Sequence, residues 1–191
     1  MFSNDQNKGV SELKIFVAGP RAIKDLDKSI AIKLENICKK EYEVLVGDAD
    51  GIDSSVQKFL NKQNYKNVTV YASKGIARNN YGNWRIKNVT VNENVTGFEF
   101  YAKKDFEMAK NSDIGFMIWN GTSRGTFNNM INLLKLGKNV ILYYTPNQKF
   151  YQIKNINELE KFLSTNVNLN NKLKKMLPPQ KTKQFVQVCL F

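Results

Sequence analysis

The chain has 191 residues, 42% of them apolar and 12% aromatic, enough for one domain with a buried core and a small appendage. It carries 29 basic and 17 acidic residues, a formal net charge of +12, and no histidine, so triads, general bases and metal sites built on His are excluded. The two cysteines, Cys38 and Cys189, lie far apart, which speaks against a disulfide framework or a zinc knuckle.

No stretch reaches transmembrane length and the first residues lack an apolar signal core, so the expected location is the cytoplasm, with no membrane partner. The lysines are scattered among asparagines rather than gathered in a stripe, which suits a solvated surface.

In chain order, Leu13 to Ala18 reads as a first strand, closed by Gly19, Pro20 and Arg21. Leu26, Ile30, Leu34 and Ile37 then recur at helical spacing. Glu43 to Val46 is a second strand, ending in the run Gly47-Asp-Ala-Asp-Gly-Ile-Asp53. Asp50 is placed to cap the next helix, with Asp53 three residues on in the manner of a capping box. Asn67 to Tyr71 is a third strand.

Residues 73 to 98 lose regularity, with Val89 and Val91 as a short extended piece. A loop this long points to recognition through Arg78, Asn79, Asn80 and Trp84, or to a structured plug. Tyr101 to Asn111 is a helix.

Ile114 to Trp119 is an apolar run of buried-strand length, followed by Asn120, Gly121, Thr122 and Ser123, and then by a helix with Phe127, Met130, Ile131 and Leu134 on one face. The first turn of that helix, with Arg124, Gly125 and Thr126, offers open amides and a positive dipole end to an anion. Asn139 to Tyr144 is a fifth strand. Asn157 to Ser164 is a short helix, and residues 166 to 191 carry five lysines and no acid, with Phe185 to Phe191 as a further edge strand or a pairing segment.

The expected fold is therefore α/β: a Rossmann-like, parallel, five-stranded sheet with helices on both faces and a short C-terminal appendage. The expected units are a flexible stretch over 1–12, the main domain over 13–150, and a helix with a basic tail over 151–191. Ligands of such sheets sit beyond the carboxyl ends of the strands, where strand order reverses. The polar clusters at Gly19 to Arg21, Gly47 to Asp53 and Asn120 to Thr126 all fall at strand ends. Neither a G-x-G-x-x-G fingerprint nor a Walker P-loop is present.

Gly19-Pro20-Arg21, the Gly47 to Asp53 run and Ser123-Arg-Gly-Thr126 resemble the SLOG superfamily, in particular its YspA-like "GDAxGxD" branch. That superfamily is similar to the lonely-guy phosphoribohydrolases, to DprA and to nucleoside deoxyribosyltransferases. The resemblance spans roughly residues 13 to 145. It implies a Rossmann-like sheet, a nucleotide-like small-molecule partner and a homo-oligomer, dimer or higher. The chain departs from the family's enzymes: Asn129 stands where the phosphoribohydrolases carry a catalytic Glu, and an amide is neither nucleophile nor base.

Binding of a nucleotide or nucleotide-derived molecule is thus the first expectation, with Gly19, Pro20, Arg21, Gly47, Asp48, Asp50, Arg78, Asn79, Asn120, Ser123, Arg124, Gly125 and Thr126 as contacts. No cofactor is specified and no metal is expected. Asp48 either bonds a ribose hydroxyl or joins a metal site, and Arg21 either bridges to Asp48 or contacts a phosphate. N-glycosidic cleavage of nucleoside monophosphates is an alternative, with Asp48 or Asp105 as stand-in catalyst. A DNA- or RNA-binding module is another, resting on the net charge, the basic tail and the likeness to DprA.

Overall fold

A computed structural model describes residues 13–73, 75–90, 97–167 and 171–179. The expectations for residues 1–12, Val91, Cys189 and Phe185 to Phe191 lie outside the described residues. The elements are β1 (Lys14–Ala18), α1 (Lys28–Lys39), β2 (Glu43–Gly47), α2 (Ile52–Lys62), β3 (Val68–Ser73), β4 (Arg85–Val89), α3 (Gly97–Asn111), β5 (Ile114–Trp119), α4 (Arg124–Lys135), β6 (Asn139–Tyr144), β7 (Lys149–Ile153), α5 (Ile156–Asn166) and α6 (Asn171–Lys174).

The strands form one sheet in the order β4-β3-β2-β1-β5-β6-β7. All neighbours are parallel except β6 and β7, which pair antiparallel. Among the described residues the expected five strands are thus seven. The two additions are the edges, and their residues explain why they escape a hydrophobicity reading. In Arg85-Ile-Lys-Asn-Val89 and Lys149-Phe-Tyr-Gln-Ile153 only the last residue is buried. An edge strand has one paired side and one wet side, so neither shows a continuous apolar run.

Alternation along the inner strands sends successive side chains to opposite faces. Ile15 and Val17, Val44 and Val46, and Val68 and Val70 meet Ile30, Leu34 and Ile37 of α1 and Ile52, Val56 and Leu60 of α2. Phe16, Leu45, Tyr71, Met117 and Trp119 face the opposite core, with Met108 of α3, Phe127 and Met130 of α4 and Leu159 of α5. Beyond α5, Leu173 is buried in that same core, with Met176 and Leu177 packed against it.

The strand order reverses between β1 and β5, whose chains leave the sheet in opposite directions, toward α1 and toward α4. Their carboxyl ends carry Ala18-Gly19 and Trp119-Asn120. No helix among the described residues is long and apolar enough to cross a membrane.

Candidate functional site

A cavity of about 450 Å³ opens at this switch point. Ala18 and Gly19 follow β1, Ala49 and Asp53 come from the Gly47–Asp53 run, Tyr101, Lys104, Asp105 and Met108 from α3, and Ser123, Gly125, Thr126 and Asn129 from the start of α4. Its size falls in the ordinary range for small-molecule sites, about 300–1,000 Å³.

The α4 wall is built by local chemistry. Asn120 Oδ1 accepts the N–H groups of Thr122 and Ser123 at 3.1 and 2.9 Å, fixing the turn after β5. Ser123 is the N-cap of α4, and its Oγ accepts the Thr126 N–H at 3.4 Å. Trp119 Nε1–H donates to the Ser123 carbonyl at 2.9 Å, tying the cap to the core. The Thr126 amide is therefore spent on the cap rather than open, as the sequence reading had it. Gly125 is the open position: a Cβ there would meet nothing within 4 Å. Deeper in, Asn129 is 3% exposed, lines the cavity, and leaves its Oδ1 without a partner.

The opposite wall holds charge. Asp48 is buried and receives Arg78 on both oxygens, Nη2 at 2.8 Å and Nε at 3.0 Å, with the Arg78 amide at 3.2 Å. Lys104 Nζ lies 3.6 Å from Asp48 and 3.3 Å from Asp105. Burial acts to raise the Asp48 carboxyl, but the Arg78 hydrogen bonds and the charge of Lys104 prevail and hold it below the usual carboxylate range. Burial likewise disfavours the charge of Lys104, yet Asp105, Asp53 and Asp48 together hold its ammonium above the ordinary lysine value.

Asp53 has the weakest support. Among the described residues it has one hydrogen bond, a 3.4 Å contact from the Ala49 amide. Burial pushes its carboxyl up to about 7; Lys104 pulls it down, and Asp105 and Asp48 add to the rise.

Glycines let this wall form. A Cβ on Gly47 would lie 2.6 Å from Lys104 Nζ and closer still to Asp53 Oδ2. Gly51 has φ of 81° and packs against the backbone of Pro20 and Arg21. Gly51 therefore occupies the N-cap position of α2, and no side chain caps that helix. The expected Asp50 cap is not made: Asp50 is exposed and accepts from Asn79 Nδ2 at 3.2 Å.

The remaining expectations sort as follows. Gly19, Arg21, Ser123, Gly125, Thr126 and Asp105 line the cavity; Pro20, Gly47, Asp48, Asp50, Arg78, Asn79, Asn120 and Arg124 do not. Arg21 does not bridge to Asp48, because Arg78 holds it; the Arg21 guanidinium lies 4.7 Å from the centroid of the Tyr101 ring. Within the Arg78–Trp84 segment, Asn80 and Trp84 are tied into the fold. Trp84 is 7% exposed, its Nε1–H donates to the Tyr65 carbonyl at 2.9 Å, and Asn80 binds both the N–H and the C=O of Trp84. Trp84 is thus unavailable to stack on a base. Among the described residues no group of three or more acidic or cysteine side chains is arranged to hold a metal ion.

Asp53, Lys104 and Asn129 were not among the expected site residues. Helical spacing carries a signal for Lys104, since Tyr101, Lys104 and Met108 share one stripe of α3.

No protein-family model matches the chain, and no curated protein matches it in sequence. Solved structures match its fold, two of them as follows. DNA processing protein A from Helicobacter pylori, described for its single-stranded DNA binding mode, superposes with a TM-score of 0.57 at 13% identity, over 86% of this chain and 80% of that one. DNA processing protein A (DprA) from Streptococcus pneumoniae gives 0.53 at 12% identity, over 90% of this chain and 62% of its own length. The fold resembles that of DprA. At such identities the likeness is one of fold, and it agrees with the broader of the two resemblances read from the sequence.

Proposed function

We propose that the chain is a SLOG protein of the YspA-like branch that binds a nucleotide or nucleotide-derived small molecule in the switch-point cavity. One observation carries this reading: the open approach at Gly125 and the unpartnered, buried amide oxygen of Asn129 face a single cavity at the reversal of strand order. A phosphate fits at the start of α4, where the dipole is positive and the first turn holds no acid. Arg21 at the rim adds a cation for the same group.

Asp48 is a poor candidate for glycosidic chemistry, since Arg78 occupies both of its oxygens and it does not line the cavity. Calorimetry with a panel of nucleoside monophosphates tests the binding reading, with product chromatography to detect any released base. Binding that disappears in Gly125→Val supports the reading; no binding of any member overturns it.

A second reading, single-stranded nucleic acid, is favoured by the net charge of +12 together with the DprA-like fold. Retention on random single strands that falls steeply with salt would select it.

A further inference from the structure

The acids beside the cavity outnumber the cations that pair with them. Asp53 and Asp105 line it, and Asp48 lies behind them. Arg78 is turned onto Asp48, and Lys104 leans on Asp105 and Asp48 at 3.3 and 3.6 Å. Among the described residues no ion pair reaches Asp53, which is 8% exposed and receives the Ala49 amide at 3.4 Å. With every member ionised, the cluster carries one negative charge in excess, and Asp53 is the unmatched one.

The other groups about Asp53 do not supply the missing partner. In its own loop, Asp50 is exposed and accepts from Asn79 Nδ2. From the end of β1, Arg21 stands at the rim with its guanidinium 4.7 Å from the centroid of the Tyr101 ring. The lining residues of α4 are uncharged. Asp48 is held below the usual carboxylate range and Lys104 above the ordinary lysine value, so both stay ionised near neutral pH.

An anion entering this cavity brings like charge to a buried carboxyl, where the field is screened less than in water. Like charge favours the protonated form. Resting on the binding reading above, we propose that Asp53 is a proton switch for the site: it takes a proton from solvent as an anionic ligand enters and returns it as the ligand leaves. Burial already holds its carboxyl at about 7, so both forms are present in the empty site at neutral pH. The coupling is reciprocal. The anion binds best at low pH, where Asp53 is already neutral, and binds more weakly as pH rises through about 7 and the carboxylate forms.

The test is calorimetry on the full chain with a panel of nucleoside monophosphates, in two buffers of different ionisation enthalpy, which counts the protons taken up on binding. The phosphate of the ligand titrates near about 6, so each count is compared with that of Asp53→Asn, where the ligand's own share remains and the switch is gone. At pH 7 half of the empty sites already carry the proton, so wild type should take up as much as about half a proton more than the variant. Between about pH 6 and 9 wild type should lose about fivefold or more in affinity relative to Asp53→Asn, the low end of ordinary coupling between two sites. Should Asp53→Asn fail to fold, carbon NMR of the Asp53 carboxyl in wild type decides, its titration midpoint rising when ligand is added. Equal proton counts in the two proteins, or a midpoint that ligand does not move, overturns the proposal and leaves the binding reading intact. If no member of the panel binds, the binding reading and this proposal fall together.

Discussion

Replacing Gly47 by alanine isolates the approach on which the charged wall depends. The φ of Gly47 is not in the left-handed region, so alanine suits its backbone and the whole effect comes from contact. The new Cβ would sit 2.6 Å from Lys104 Nζ and nearer still to Asp53 Oδ2, where ordinary contact begins at 3.4 Å. Both atoms must withdraw by about an ångström, since carbon contacts settle near 3.5–4.0 Å.

Neither has room to do so freely. Lys104 is 2% exposed and holds two carboxylates, and Asp53 is 8% exposed. Overpacking of this kind costs about 1–3 kcal/mol. At about 2–4 °C per kcal/mol for a chain of this size, the melting temperature should drop by about 2–12 °C. Truncating Asp53 to alanine makes space, so Gly47→Ala should cost clearly less in the Asp53→Ala background, a coupling read by a double-mutant cycle. Thermal melts of the four proteins decide the matter. A Gly47→Ala protein that melts with the wild type, or an equal cost in both backgrounds, would refute the proposed crowding of Asp53 and Lys104 against β2.

Three other outcomes are expected. Gly125→Val should melt within about 0.5 kcal/mol of wild type, as surface changes do, because no atom lies within 4 Å of its new Cβ, while phosphate-ester binding measured by calorimetry is lost. Asp53 is raised from an ordinary 3.8 to about 7 in the fold, so it favours folding most at low pH and its contribution is lost as pH rises from about 4 through about 7; Asp48, held low, works the opposite way, its contribution being lost as pH falls. Denaturant midpoints across this range should therefore fall less with rising pH in Asp53→Leu than in wild type, and a parallel profile would count against the buried, weakly supported carboxyl. Leu173→Ala should cost about 2–5 kcal/mol, because Leu173 is 2% exposed in the core shared with α4 and α5; a loss under about 0.5 kcal/mol, the surface scale, would show that the segment after α5 is not needed by the core.

The inner five strands and the helices between them were legible from the sequence, because each writes a short-range pattern: a run of apolar residues for a strand buried on both faces, and 3.6-residue spacing for α1, α2 and α4. The break at Asn120 to Ser123 between β5 and α4 was legible for the same reason, being settled within a few residues. The edges β4 and β7 were not, since half of each faces water and only pairing with β3 and β6 defines them. Nor were the partners of the carboxylates. Asp50 looked like a cap, but the turn at Gly51 packs on Arg21, and Asp48 read as a ribose or metal contact or as the partner of Arg21, whereas Arg78 is brought onto it across 30 residues. Lys104 joins Asp48 and Asp105 from a helix that follows β4. Local periodicity is fixed by the backbone and can be read along the chain, whereas charge pairing depends on which side chains the sheet order brings within a few ångströms, and that distance exists only once the chain is folded.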